Sequence, residues 1–175
     1  LSCIFITGGA RAGKSSYAQK LAAENGGKVL FVATAEAKDE DMRLRIEKHK
    51  KSRPSVWETL EAPVDVGKAI SGKAGEYTVV IIDCITMLVS NVMLAADNEE
   101  SAESAVINEV EALIKTMQSK LSAFIVVSNE VGLGIVPDNE MSRNYRDLLG
   151  RANQLMAQHA DEVYFVAAGI PVKIK

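Results

Sequence analysis

The chain has only two cysteines in 175 residues, Cys3 and Cys84. Both fall at apolar, strand-like stretches, which argues against a disulfide framework and reads as buried, reduced thiols that fill the core. Aromatic residues make up 5% of the chain, so few rings are available for stacking a flat ligand. No apolar run reaches the roughly 18 residues that a membrane span needs. The first segment carries neither the positive charge nor the small-residue cleavage site of an export signal, and the expected location is cytoplasmic. A net charge of -3 leaves no uniform basic field for a nucleic-acid backbone, so any bound anion must be held locally. Repeats, linkers and low-complexity tracts are also missing.

What the chain does have is 47% hydrophobic residues, enough to fill one sizeable core, and one domain over residues 1–175 is expected. Short apolar runs rich in β-branched residues recur at Cys3 to Thr7, Lys28 to Ala33, Tyr77 to Asp83, Ala123 to Ser128 and Asp161 to Ala167. Helical spacing is found at Lys14 to Ala23, Asp39 to Lys51, Pro63 to Ile70, Glu99 to Lys120 and Glu140 to His159. Strands that alternate with helices imply an α/β, three-layer fold with a mainly parallel sheet. Val163 to Ala168, then Gly169-Ile170-Pro171, then Val172 to Lys175 predicts an antiparallel C-terminal edge hairpin, with Pro171 suited to an edge strand. In the longest helix an apolar stripe runs from Ala102 through Ala105, Val106, Val110, Leu113, Ile114 and Met117 to Leu121, to be packed on the sheet or on a neighbouring subunit. The apolar segment Thr86 to Asp97 lacks strand alternation and reads as a helix or turn leading toward a subunit contact.

Gly8-Gly9-Ala10-Arg11-Ala12-Gly13-Lys14-Ser15 satisfies the G-x-x-x-x-G-K-[ST] spacing, between a predicted strand and a predicted helix. Glycines let the backbone curl until several N–H groups converge on phosphate oxygens, and the helix that starts at Lys14 adds its positive dipole end. Lys14 is placed to reach the β- and γ-phosphates of a nucleoside triphosphate, and the Ser15 hydroxyl to ligate Mg²⁺. Asp83 closes an apolar strand, where a second acidic group would meet the magnesium or its water. These features specify a P-loop, RecA-like domain.

Two further tracts leave alternatives open. His49 lies in a cationic stretch from Arg43 to Pro54, which is either a solvated helix face or a nucleophilic imidazole surrounded by cations that hold a phosphate against it. Ser128-Asn129-Glu130-Val131-Gly132 follows a strand at the carboxyl edge of the sheet, and Arg143, Arg146 and Arg151 follow on the next helix. These residues either contact a substrate or are ordinary surface charges. His159 ends a helix, where a cation gains from the dipole, so a structural role is expected.

With these residues in hand, the chain resembles the bifunctional adenosylcobinamide kinase and adenosylcobinamide-phosphate guanylyltransferase family of cobalamin biosynthesis. The likeness runs through Thr7 to Arg11 and Gly13-Lys14-Ser15, Ala33-Thr34-Ala35, Arg45-Ile46 with His49-Lys50 and Arg53-Pro54, and Asp83 to Thr86. It continues through Asn129 to Gly132 with Gly134 to Pro137, Arg143 with Arg146-Asp147, Gly150-Arg151 with Asn153-Gln154, and Ala160 to Val163 through Lys173. The resemblance implies phosphorylation of adenosylcobinamide with ATP or GTP, then GMP transfer from GTP onto adenosylcobinamide phosphate through a guanylylated histidine at His49. It also implies GTP contacts at Gly8, Gly9, Ala10, Arg11, Ala12, Gly13, Lys14, Ser15, Ala33, Thr34, Ala35, Lys50, Lys51, Ser52, Arg53, Glu61 and Asp83, and a homotrimer. Where some members carry glutamate, this chain has Asp83, whose shorter carboxylate suits magnesium bound through water. The competing readings are a P-loop small-molecule kinase without transferase activity and a GTP-binding regulatory module.

Overall fold

The computed structural model describes residues 2–37, 39–51 and 53–175. Seven strands form one sheet: β1 (Cys3–Gly8), β2 (Val29–Ala33), β3 (Glu58–Glu61), β4 (Val79–Asp83), β5 (Ala123–Val127), β6 (Glu162–Ala167) and β7 (Ile170–Lys173). Their order across the sheet is β3-β2-β4-β5-β1-β6-β7, and every pairing is parallel except β6 with β7. Among the described residues six α-helices connect them, with α4 and α5 in succession: α1 (Lys14–Asn25), α2 (Glu40–Lys51), α3 (Val66–Ser71), α4 (Ile85–Leu94), α5 (Glu99–Gln118) and α6 (Glu140–His159). The three-layer expectation holds, with the antiparallel edge at the expected end.

The central strands are apolar on both faces because both faces are covered. Ile6, Phe31, Ile81, Ile125 and Val127 pack toward Ala18 and Ala22 of α1. Phe5, Leu30, Val32, Val80, Ile82, Phe124 and Val126 pack toward the buried residues of α3, α4, α5 and α6. Each large side chain so buried stabilises the fold by about 1.5–3 kcal/mol, so the two apolar faces, more than helix propensity, fix where the sheet lies.

α5 starts at a capping box, with Asn98 Oδ1 accepting from Ser101 N–H at 2.9 Å and Ser101 Oγ accepting from Asn98 N–H at 3.1 Å. It packs inward through Ala102, Val106, Val110, Leu113, Ile114 and Met117, but Leu121 lies beyond the helix end and is 89% exposed. The helix ends at Gln118, so the stripe read from sequence runs a few residues too far. The segment that begins at Thr86 is helical: α4 buries Ile85, Thr86, Leu88, Val89 and Asn91 within its own chain. α6 spans its expected range and is capped by Asn139, whose Oδ1 accepts from Ser142 N–H at 2.8 Å.

One strand was not expected from sequence. β3, Glu-Thr-Leu-Glu, pairs with β2 at the sheet edge, where only Leu60 is even partly buried. The C-terminal turn lies earlier than expected: β6 ends at Ala167, and Ile170 and Pro171, read as part of the turn, belong to β7. Ala168 (φ 49°) and Gly169 (φ 81°) form the two-residue connection between Ala167 and its partner Ile170. Two consecutive positive φ values are what a tight hairpin needs to match the strand twist. Cys3 and Cys84 are free thiols and half-buried, and Cys84 sits just past β4 at the start of α4. Among the described residues no helix is long and apolar enough to cross a membrane.

Candidate functional site

The phosphate loop joins β1 to α1 and is shaped by steric necessity at two glycines. Gly8 has φ 145°, and a Cβ there would lie 2.3 Å from the Val166 carbonyl oxygen on β6. Gly13 has φ 100°, and a Cβ there would lie 3.2 Å from Gly169 Cα in the hairpin turn. The loop is also tied to its neighbours: Gly169 N–H donates to Ala12 O at 2.9 Å, and Glu130 N–H donates to Gly8 O at 2.9 Å. The backbone is therefore held in its curl from outside, before any anion arrives.

Lys14 is buried, and its Nζ donates to Gly9 O at 2.6 Å across the mouth of the loop. Burial pushes its pKa below the ordinary lysine value, and the nearby Asp83 carboxylate pulls it partly back. A phosphate in the loop would replace a neutral carbonyl as its partner and relieve that cost. Asp83 ends β4 in register with Ala33 of β2 and Val127 of β5. Its Oδ2 is buried without a hydrogen-bond partner. A buried acceptor left this way fits a cation or its bound water, so the donors present, this carboxylate and the nearby Ser15 hydroxyl, suit magnesium.

α2 overhangs the same space. Its charges follow the helix dipole, with Glu40 and Asp41 in the first turn and Lys48, His49, Lys50 and Lys51 in the last. Asp39 Oδ1 accepts from Met42 N–H at 2.7 Å at its start, and Arg43 pairs with both Glu40 and Glu47 on its surface. Lys50 reaches Glu61 of β3 at 2.5 Å, which joins the basic end of α2 to the sheet edge. The Arg53 guanidinium carbon stands 3.6 Å from the centroid of the Phe31 ring, and Arg53 Nε is buried without a partner. Burial lowers the Arg53 pKa, while Asp83 and Glu61 raise it. A stacked, desolvated guanidinium with a spare donor is a ready receptor for an oxyanion.

All of these elements border one cleft of about 980 Å³. Its lining includes Ala10 to Ser16, Ala33, Ala35, His49, Lys50, Arg53, Glu61 and Asp83, so residues from both ends of the predicted site share one space. Gly8 and Gly9 belong to the loop but do not line the cleft. Thr34 is fully buried beneath it. Its Oγ1 donates to Cys84 O and accepts from Cys84 N–H, each at 2.7 Å, so it braces the site and does not face it. Lys51 is exposed and outside the lining, and Ser52 lies outside the described residues.

The other tract divides. Asn129 lines the cleft, whereas Arg143 donates to Pro137 O and Asp138 O, Arg146 pairs with Asp147, and Arg151 pairs with Glu103. Those three arginines are engaged with other protein groups and are not among the residues that line the cleft. His159 closes α6 with its Nδ1 3.4 Å from Gln118 Nε2, in keeping with a structural role. Met42, Ile46 and Met87 line the cleft as an apolar wall that the sequence reading missed. Only the helical spacing of Met42 and Ile46 on one face of α2 carried a signal for it.

Two solved structures share the architecture. A type III secretion system ATPase of pathogenic bacteria superposes with a TM-score of 0.61 at 11% identity, covering 98% of this chain and 56% of that one. The RadB recombinase gives 0.53 at 15% identity, covering 94% and 73%. At these identities they show the fold alone, a RecA-like P-loop architecture. Sequence similarity goes further. A bifunctional adenosylcobalamin biosynthesis protein of Salmonella typhimurium is 38% identical over 180 aligned positions, covering 98% of this chain and 99% of that protein. Its namesake in Escherichia coli is 37% identical with the same coverage. A protein of the same description in Pseudomonas aeruginosa is 39% identical over 170 positions, covering 97% and 95%. With the family model matching residues 4–174, the chain belongs to the cobinamide kinase / cobinamide phosphate guanyltransferase family.

Proposed function

We propose that the chain performs both reactions of its family's description in the one cleft, and that His49 is the nucleophile of the second. The observation that carries this reading is that His49, Arg53, Lys14 and Asp83 line a single space, although they come from three separate parts of the chain. In the first reaction the aminopropanol hydroxyl of adenosylcobinamide attacks the γ-phosphorus of ATP or GTP, and the nucleoside diphosphate leaves. In the second, a His49 ring nitrogen attacks the α-phosphorus of GTP and pyrophosphate leaves. A phosphate oxygen of adenosylcobinamide phosphate then displaces the histidine from that phosphorus, giving adenosylcobinamide-GDP and a free imidazole.

The loop amides and Lys14 hold the phosphate chain in both reactions and offset the charge that develops on the oxygens of the leaving group. Arg53, fixed by its stack on Phe31, is the cation closest in character to a clamp for a phosphate presented to His49. Ser15 and Asp83 would hold Mg²⁺, which when bound neutralises phosphate charge. Lys50 and Glu61 join α2 to β3 and so set how far the histidine helix stands from the loop. The protein works as a homotrimer in this reading, as the resemblance implies, with a molar mass by light scattering as its check.

The deciding experiment is incubation with α-³²P-GTP and Mg²⁺, followed by peptide mapping. The expected result is an acid-labile label on His49 that chases into adenosylcobinamide-GDP when adenosylcobinamide phosphate is added. His49→Ala should abolish labelling and GMP transfer while phosphorylation of adenosylcobinamide persists. Equal loss of both reactions in a folded His49→Ala protein contradicts the division of labour. Production of phosphorylated cobinamide alone by the unaltered protein identifies a kinase without the transferase step.

A further inference from the structure

β5 lies between the strand that feeds the phosphate loop and the strand that ends in Asp83. Val127 is in register with Ile6 on one side and with Asp83 on the other. Asn129, two residues farther on, shares the parity of Val127 and emerges at the carboxyl edge between the loop and the acid. It lines the same cleft as both.

The backbone of Asn129 is held at both ends. Its N–H donates to Thr86 Oγ1 at 2.7 Å, and its C=O accepts from Asn153 Nδ2 at 3.0 Å. The Ser128 hydroxyl donates to Asn153 Oδ1 at 2.6 Å and lies 3.4 Å from Thr86 Oγ1. Thr86, Ser128 and Asn153 are all buried. The following residue, Glu130, is tied by its N–H to Gly8 O, so the position is also coupled to the phosphate loop. A paired polar network of this kind rigidifies what it touches, because each buried member becomes costly if it loses its partner. The two hydrogen bonds that Asn129 makes to Thr86 and Asn153 are those of its backbone, and the residue is half-buried in the cleft lining.

We propose that the Asn129 carboxamide contacts the γ-phosphate of the bound nucleoside triphosphate, and that Thr86, Ser128 and Asn153 are the positioning residues that aim it. This rests on the reading that the cleft binds a nucleoside triphosphate. The α- and β-phosphates belong to the loop amides and the start of α1, and the terminal phosphate is the one that extends toward the Asp83 side. Arg53, over Phe31 of β2, lies two strands away from β5 and does not fill that position. A neutral carboxamide supplies an N–H donor there without adding charge that would tighten diphosphate and triphosphate alike.

The test is titration calorimetry of the full chain with Mg²⁺ and either GDP or the β,γ-imido analogue of GTP. Asn129→Ala should leave the GDP affinity within about twofold and weaken the imido analogue about tenfold or more, the size expected for one hydrogen bond to a charged group. Thr86→Val, which keeps the shape but removes the acceptor for the Asn129 N–H, should shift the ratio the same way, and Thr86→Ser should restore it. The kcat for cobinamide phosphorylation should fall with the ratio. An unchanged ratio in folded Asn129→Ala, or equal losses for both nucleotides, overturns the proposal, and this holds even if Thr86→Val fails to fold. If the unaltered protein binds the analogue but phosphorylates no cobinamide, the functional reading fails while the ratio still decides the role of Asn129. If it binds neither nucleotide, both fall.

Discussion

Replacing Gly8 with alanine tests whether the loop is shaped by its neighbours or only by its ligand. The new methyl would meet the Val166 carbonyl oxygen at 2.3 Å, and this oxygen belongs to the backbone of a strand paired with β1, so it cannot swing aside. Overpacking of this kind costs about 1–3 kcal/mol. Holding a residue with a side chain at the φ of 145° that Gly8 adopts adds about 1–3 kcal/mol. The sum centres near 4 kcal/mol, which for a chain of this length lowers the Tm by roughly 8–16 °C. Gly9→Ala is the matched control, because a Cβ there meets nothing within 4 Å. Thermal unfolding followed by circular dichroism, without nucleotide, compares the two. A Gly8→Ala protein that melts within about 2 °C of the parent, or a Gly9→Ala protein that is equally destabilised, refutes the argument that β6 sterically sets the loop.

Two further outcomes follow from the titrating groups. Since burial lowers the Lys14 pKa and a triphosphate favours the charged form, binding at alkaline pH should take up a proton. Affinity should then weaken as pH rises, starting below the range of an ordinary lysine. Calorimetry in buffers of different ionisation heat measures this, and Lys14→Arg should remove the proton uptake. The Cys3 and Cys84 thiols are each raised from 9.0 to about 12, mainly by burial. At pH 8 only about one molecule in 10⁴ would carry each thiolate, so iodoacetamide should leave the folded protein unmodified while alkylating both residues in urea. Stoichiometric alkylation of the native protein would contradict the burial argument. Their native pKa exceeds the unfolded one, so the stability they contribute is complete below pH 9 and is lost as pH rises toward 12.

The sheet was legible in the sequence wherever both faces of a strand are buried, because such strands read as unbroken apolar runs. β3 was not, for the opposite reason. An edge strand made of Glu58, Thr59, Leu60 and Glu61 has one partner and almost no buried face, and its charges are those that keep an exposed edge from pairing with another chain. Its place follows from tertiary pairing with β2, where Ala33 and Glu61 are in register. The loop, Lys14 and Asp83 were legible because spacing and local context specify them. That His49 on α2 shares their cleft was not, since nothing local says which way a polar helix leans. Arg143, Arg146 and Arg151 show the converse: a suggestive series of cations on α6 whose partners are the Pro137 and Asp138 carbonyls, the adjacent Asp147 and Glu103 of α5. Asn129 could be flagged only as part of a tract. Its anchors, Thr86 and Asn153, come from other helices.

The hairpin of β6 and β7 gives the loop a dependence on synthesis order. Ala12, Gly13 and Gly8 all lean on residues of that hairpin, which are translated after almost everything else in the sequence. A nascent chain would expose its glycine-rich turn early and without a brace, and nucleotide would have no finished cradle until β6 slotted in beside β1. Ribosome-stalled chains that stop short of β6 should therefore fail to retain GTP, whereas chains with β7 clear of the exit tunnel should hold it.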